Sequence, residues 1–437
     1  MANVLSPVAS DVACIRAQGR ALLPGLHDHH LHLRAAAAAQ RSLDCAQAQI
    51  TDRAGFGQAL GAMSGAGWIR VVGYHESIAG DLDCTALDQL CAHRPLRVQH
   101  SSGKLWILNS LALSHLKVAS AECPPGVERD ADGLPTGRLW RLDDWLGHRL
   151  RQASAPNLTG LSEQLASYGV TGVTDASYTN DPSSLKGFRQ AIEQGELRQK
   201  LTLMGNEALG AGVLKVMLDE DELPDLTDLV QRVAGAHAQD RRVAFHCVSH
   251  VELLMALTAL EMAEVRQGAR IEHGGVIRRD MIPKLVASGA VVVTQPGFIT
   301  QRGERLRQQA DPADVDALYP YGSLVAAGVP VIVSSDAPYG PLNPWHIIAA
   351  ATHRRTENGT VLGQPECVPA QQALMGYLNP PDDPGGLIRR IQPGACADLC
   401  LLDRPLAEAL RQPESVQPAF TFVDGELIYA ADQHSLR

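Results

Sequence analysis

The chain has 437 residues, 45% of them apolar and 4% aromatic, with a formal net charge of −10. That length holds one large domain or about three small ones, and the apolar share is ordinary for a globular chain with a large core. The acidic balance argues against nucleic acid or an anionic membrane surface as the main partner, and no run of about 18 apolar residues marks a membrane span.

The N-terminal "MANVLSPVASDVACIRAQGR" lacks a basic start followed by an apolar core, so no secretory signal is expected. The nine cysteines are scattered, odd in number and form no C-x-x-C pair. No disulfide framework is readable, and a reduced, cytoplasmic location is expected. The first strand signal is "LLPGLHDHHLHL" (22–33), with four histidines and an aspartate within six residues. Residues 35–165 follow as a long insertion. Its "LRVQHSS" reads as a barrel strand, and its "CPPGVERDADGLPTGRLW" reads as loop or hairpin. Further strand signals are "VTGVTDAS" (170–177), "GVLKVML" (212–218), "VAFHCVS" (243–249), "RIEHGG" (270–275), "AVVVTQPG" (290–297) and "VPVIVSSDAP" (329–338). Helix-like stretches such as "LPDLTDLVQRVAGAHAQD" and "VELLMALTALEMAEVRQG" lie between them. Alternating strands and helices predict βαβ units around a parallel sheet, and continuously apolar strands predict a sheet covered on both faces.

Polar residues cluster where these strands end. A closed (β/α)8 barrel collects strand ends at one rim, and an open doubly wound sheet also binds ligands there. No G-x-G-x-x-G follows the first strand, which weakens the dinucleotide-binding alternative. The C-terminal stretch alternates apolar and polar residues around an Asp-Gly turn signal. The expected architecture is a (β/α)8 TIM barrel over residues 21–389. A small β-sandwich-like appendage, formed mainly by the C-terminus, is expected from residues 1–20 plus 390–437.

Strand alternation puts Asp28, His30 and His32 on one face and turns His27 and His29 to the other, as packing or supporting residues. Imidazoles about 7 Å apart along one face can converge on one ion. His246, His273 and Asp336 end later strands, and Lys215 lies inside an apolar run. Each has a bland alternative. A strand-end histidine is often a satisfied core residue, a lysine can snorkel, and an aspartate can cap a helix. Brought to one barrel rim, four histidines and an aspartate suit zinc, or manganese, iron or nickel.

The ordered set Pro24-Gly25-x-x-Asp28-x-His30-x-His32, Lys215, His246, "RIEHGG" with His273 and "SSDAP" with Asp336 resembles the amidohydrolase superfamily. The likeness is strongest to its family-3 branch, which includes formamide deformylases. "GVTGVTDAS", "LNSLAL" and "DGLPTGRL" resemble that branch too, and the likeness runs from about residue 22 to the C-terminus. The resemblance implies a metal-dependent barrel with a β-sandwich formed from both termini. The short segment before the barrel implies that the N-terminal share of that sandwich is reduced. It also implies that His30, His32 and Asp336 hold one metal and that His246 and His273 hold a second. Lys215, carboxylated by CO2, would bridge two Zn(2+) ions; an unmodified Lys215 implies a single metal.

The reaction so implied is hydrolysis of a C–N bond in an amide, cyclic amide or formamide, with Asp336 as proton shuttle. Deaminase or lactone and ester hydrolysis on the same barrel is the rival, with His250 and Glu252 as the residues to watch. A non-catalytic binding barrel is the other alternative. Cys247 should face away from His246 and pack. The substrate is a small molecule, and a homo-oligomer is the default for a soluble enzyme. Loop residues that could line its pocket are Tyr74, His75, His100, Trp106, Arg302, Tyr339 and Trp345. A guanidinium at Arg302 could hold a substrate carboxylate.

Overall fold

The computed structural model describes residues 15–431 except 46, 47, 49, 66, 119–122, 152–154, 266 and 267. Residues 1–14 and 432–437 of the expected appendage therefore lie outside the described residues. Eight short runs form one parallel sheet: β1 (Leu26–Leu31), β2 (Val170–Asp175), β3 (Lys200–Gly205), β4 (Val213–Val216), β5 (Val243–Cys247), β6 (Arg270–His273), β7 (Val291–Thr294) and β8 (Val331–Val333). Each pairs with the next in the chain. Both faces of the sheet are covered: every residue of β1, β2, β6, β7 and β8 is buried.

The sheet closes between its last and first strands. The Asp336 amide donates to the His30 carbonyl at 2.8 Å, and the His32 amide donates to the Ala337 carbonyl at 2.9 Å. The Asp28 carboxylate accepts from the Ser335 amide at 3.2 Å across the same seam. The expected barrel is thus present, with one strand reassigned. The run "LRVQHSS" is not a barrel strand. Leu96–His100 belongs to a separate six-stranded sheet, where Leu96 and Val98 are buried in a core that includes Phe56, Ile69 and Leu87. Its barrel slot is taken by β3, a run the sequence reading passed over. The first three residues of β3 are only half-buried, and residues 206–212 lead to β4 through a short 3-10 turn instead of a helix.

The chain divides into two compact units, residues 34–157 and the remainder. In the first, Leu43–Asp44, Ile69–Tyr74 and Leu96–His100 pair in parallel, and Leu105–Leu108, Pro135–Trp140 and Val127–Arg129 continue the sheet antiparallel. The Pro/Gly-rich piece is the hairpin of the last two strands. In the second unit, Leu22–Pro24 pairs antiparallel with Leu399–Leu401, which pairs with Phe420–Val423 and on to Glu426–Ala430. The N-terminal share of this small sheet is one three-residue strand. The predicted Asp-Gly turn is there: Asp424 and Gly425 both have left-handed φ, 50° and 84°, as a two-residue hairpin turn with matching twist requires. No helix among the described residues is long and apolar enough to cross a membrane.

Gly25 joins the small sheet to β1, and a methyl there would meet Thr171 Cγ2, Oγ1 and Cβ at 2.1, 2.3 and 2.7 Å. Rotating Thr171 does not move its Cβ, so the backbones must part. Gly25→Ala is expected to lower stability by about 1–3 kcal/mol, read as a lower thermal midpoint. Adding Thr171→Gly should restore part of that loss; a midpoint that does not move in Gly25→Ala would contradict the close approach.

Candidate metal centre

Six side chains from the ends of five barrel strands line one cavity of about 480 Å³: His30, His32, Lys215, His246, His273 and Asp336. His30 ends its strand facing Asp336, with Nε2 at 3.4 Å from Oδ1, and His32 Nε2 lies 3.2 Å from the same oxygen. His30 and His273 rings are 4.8 Å apart between centroids, and His246 and His273 are 4.5 Å apart. One ligand atom each from His30, His273 and Asp336 lies within 4.8 Å of the others. His273, which the resemblance puts with His246, therefore also groups with His30 and Asp336.

Hydrogen bonds at the ring nitrogens set the tautomers of two of these histidines. His30 Nδ1 is 2.5 Å from Glu272 Oε2, and a carboxylate there requires a protonated Nδ1. Its Nε2 is then a bare lone pair aimed at Asp336. His273 Nδ1 lies 2.9 Å from Gln295 Oε1. The Gln295 amide nitrogen already donates to the Val293 carbonyl and Ser334 Oγ, so its oxygen accepts from His273. His32 Nδ1 is 2.9 Å from Ser177 Oγ. Such outer partners orient imidazoles as metal ligands.

The electrostatics suit ligation as well. Burial, helped by neighbouring positive groups, pulls His246 down to about 2; burial likewise holds His273 at about 3. Both rings are neutral at neutral pH, as ligands must be. Burial pushes the Asp336 carboxyl up, but His32, His30 and His273 outweigh it and the group stays ionised. Burial also drops the Lys215 amine to about 8, and its Nζ has no hydrogen-bond partner. A buried ammonium without a partner is costly. An amine modified to an anion, or one ligating a cation, removes that cost. The donor set, the ring tautomers and the orphaned amine all fit a divalent metal.

Backbone strain gathers at the same place. His273, Asp336 and Tyr319, all on the cavity wall, have left-handed φ of 70°, 52° and 45°. Such residues cost of order 1–3 kcal/mol each and collect at functional sites.

The other expected residues divide. Arg302 and Tyr339 line the cavity. "QPGFITQRGERL", read as a loop, is instead the helix α1 (Gly297–Gln309), which breaks at Arg302. Trp345 does not face the cavity: it is fully buried, and its Nε1 donates to the Tyr168 carbonyl. Tyr74, His75, His100 and Trp106 belong to the other unit and have roles within it. Tyr74 is buried beside Phe56 and donates to the Gly80 carbonyl at 2.6 Å. Trp106 is buried under the guanidinium of Arg97 at 5.2 Å. His75 and His100 accept the Ser77 and Ser102 amides through Nδ1, and their rings stack at 5.9 Å. Cys247 is buried, as packing requires. His27 bonds Thr174 Oγ1 at 2.8 Å and packs on His29, both on the side away from the cavity cluster.

Sequence reasoning missed Glu272, Gln295 and Ser177. Glu272 had a signal: Arg270 and Glu272 alternate on one strand face, and a buried pair there is an ion pair. Arg270 Nε bonds Glu272 Oε1 at 2.6 Å and its other nitrogen bonds the His29 carbonyl at 2.8 Å. Gln295 and Ser177 carry no such signature. Removing one partner of a buried pair leaves a bare charge, so Glu272→Leu should cost about 3–5 kcal/mol. The Arg270→Met/Glu272→Leu double variant should be more stable than that single variant by thermal unfolding; the reverse order would show that the pair is not what holds these charges.

A sequence model of the amidohydrolase family matches residues 14–429. An N-substituted formamide deformylase from Arthrobacter pascens is 25% identical over 98% of this chain and 92% of its own length. A putative amidohydrolase, YtcJ, from Bacillus subtilis strain 168 is 23% identical over 95% of this chain and 90% of its own. Among solved structures, an uncharacterized metal-dependent hydrolase from Pyrococcus horikoshii OT3 superposes with a TM-score of 0.67 at 18% identity, covering 83% of this chain and 81% of that one. Another from Pyrococcus furiosus gives 0.66 at 19% identity, covering 83% and 82%. At these identities the structural likeness speaks for the fold.

Proposed function

The chain belongs to the amidohydrolase family, and on that premise we propose that it hydrolyses a C–N bond of a small amide, cyclic amide or formamide at the cavity of His30, His32, Lys215, His246, His273 and Asp336. The observation that carries this reading is the convergence of ligand atoms from His30, His273 and Asp336 to within 4.8 Å, with their tautomers fixed from behind. The deformylase relative supports N-substituted formamides as the first substrates to try. A divalent cation held there supplies a Lewis acid for the carbonyl and lowers the pKa of its water to about 7.

The chain's own groups then do the rest. Asp336 is ionised and faces the cavity, so it can accept the proton of the attacking water and return it to the leaving nitrogen. His32, 3.2 Å from Oδ1, keeps that carboxylate in place. Burial favours the neutral form of Lys215. Its lone pair can attack the carbon of CO2; an N–C bond forms as one C–O π pair moves onto oxygen, an N–H proton leaves, and an anionic carbamate replaces the neutral amine. With it the site takes two metals, zinc first among them; without it, one. Glu252, the residue a deaminase reading needs, is committed elsewhere: it accepts the Val248, Ser249 and Glu220 amides and closes the capping box of the helix α2 (His250–Met262). That favours amide hydrolysis over deamination. A small soluble-enzyme homo-oligomer in a reduced cytoplasm remains part of the proposal.

Elemental analysis of the purified protein tests the metal count. About two equivalents, recovered after chelation only when bicarbonate accompanies the metal, are expected for a carboxylated Lys215; one equivalent with no bicarbonate effect would rule the bridge out. A pair of substitutions separates ligand from proton shuttle. His30→Ala should lose metal, while Asp336→Asn should keep much of it and lose about 100-fold or more in turnover of an N-substituted formamide. Full activity in Asp336→Asn would remove the shuttle role.

A further inference from the structure

We infer that the wall of the cavity opposite the imidazoles is a carboxylate subsite centred on Arg302, so that the preferred substrate is an amide carrying a free carboxylate, as an N-acylated amino acid does. This rests on the hydrolase reading above for the reaction, but not for the binding.

Arg302 is held in place without being used. It sits at the break in α1, where φ is −150° and ψ is 24°, so its side chain leaves the helical rows of its neighbours. Its guanidinium carbon lies 3.7 Å from the centre of the Phe298 ring. Phe298 is itself buried and meets Tyr319 edge-on at 5.6 Å between centroids, so the platform cannot swing away. Arginine stacked in this way has its planar fork pre-organised. Yet Arg302 Nε is buried with no hydrogen-bond partner, and among the described residues no carboxylate lies within ion-pairing distance of it. An orphaned, oriented guanidinium nitrogen on a cavity wall asks for an acceptor, and the acceptor that matches its fork is a carboxylate.

The charge balance of the cavity points the same way. The whole chain is acidic, with 38 basic and 48 acidic side chains. Within the cavity wall, Arg302 and Arg305 set two guanidinium groups side by side in the lining. Arg305 spends one nitrogen on Gln309, 3.3 Å away, and adds positive potential beside Arg302. Two guanidinium groups on one wall of a cavity in an acidic protein attract an anionic ligand to that wall. The amide end of such a ligand would be presented to the Asp336 side, and its carboxylate to Arg302.

The test uses the metal-loaded protein and matched pairs of N-acetylamino acids and their primary amides, with glycine, leucine and phenylalanine side chains. Binding is measured by calorimetry and amine release is followed separately. In the wild type the acid of the best-bound pair should bind at least about tenfold tighter than its amide, the scale of one charge-assisted contact. In Arg302→Gln that ratio should fall below about threefold, with the thermal midpoint and metal content kept. Arg302→Lys should retain part of it, and Phe298→Leu, which removes the platform but not the charge, should lie between. No acid preference in any pair, or a preference that survives Arg302→Gln because the carboxylate goes to the metal instead, overturns the subsite. The two readings fail apart. Acids that bind through Arg302 yet release no amine leave the subsite standing and remove the hydrolase reading. Acids and amides cleaved with equal kcat/KM do the reverse.

Discussion

The seam between the last barrel strand and the first is the constraint on which the rest depends. It is made by the main chain of His30 and His32 bonding that of Asp336 and Ala337, with the Asp28 carboxylate on Ser335. Closing the sheet and bringing two imidazoles to the carboxylate are therefore one event. A barrel that failed to close would have no site. The bonds run over the segment with the left-handed residue Asp336, so the seam also holds the strain that aims this carboxylate inward.

Behind the seam lies a layer of buried polarity that only makes sense as support. Arg270 neutralises Glu272, Glu272 fixes the ring of His30, and Arg270 also ties down the His29 carbonyl. Gln295 does for His273 what Glu272 does for His30, without a charge. Buried ion pairs are weak sources of stability because desolvation offsets their attraction. Their worth here is orientation: Glu272 and Gln295 set the tautomers of His30 and His273. The buried Lys215 amine has no hydrogen-bond partner.

Much of this was legible in the sequence because it is local. The continuous apolar runs, the H-x-H pair and the polar strand ends predict the barrel and its rim, and the Asp-Gly turn predicts the last hairpin. What was not legible is tertiary. Leu96–His100 has the right pattern for a barrel strand, and only its partners place it in another sheet. Lys200–Gly205 has a half-buried, partly polar start and no following helix, so its barrel role appears only in its pairing with Val170–Asp175. Tyr74 and Trp106 look like pocket aromatics until their burial is known. The left-handed turns at His273 and Asp336 leave no mark in composition, since neither residue is glycine. Gln295 and Ser177 are ordinary polar residues whose importance lies wholly in what they touch.

The wide spacing along the chain of groups that meet at one rim also orders events in time. His30 and Asp336 are separated by 306 positions (336 minus 30). A ribosome adding about 5–20 residues each second needs roughly 15–60 s to pass from one to the other. Throughout that interval the nascent "HDHHLH" has its imidazoles but not the Asp336 carboxylate that meets them in the folded barrel. A cation site that needs His30, His273 and Asp336 together would be complete only once the eighth strand has been made.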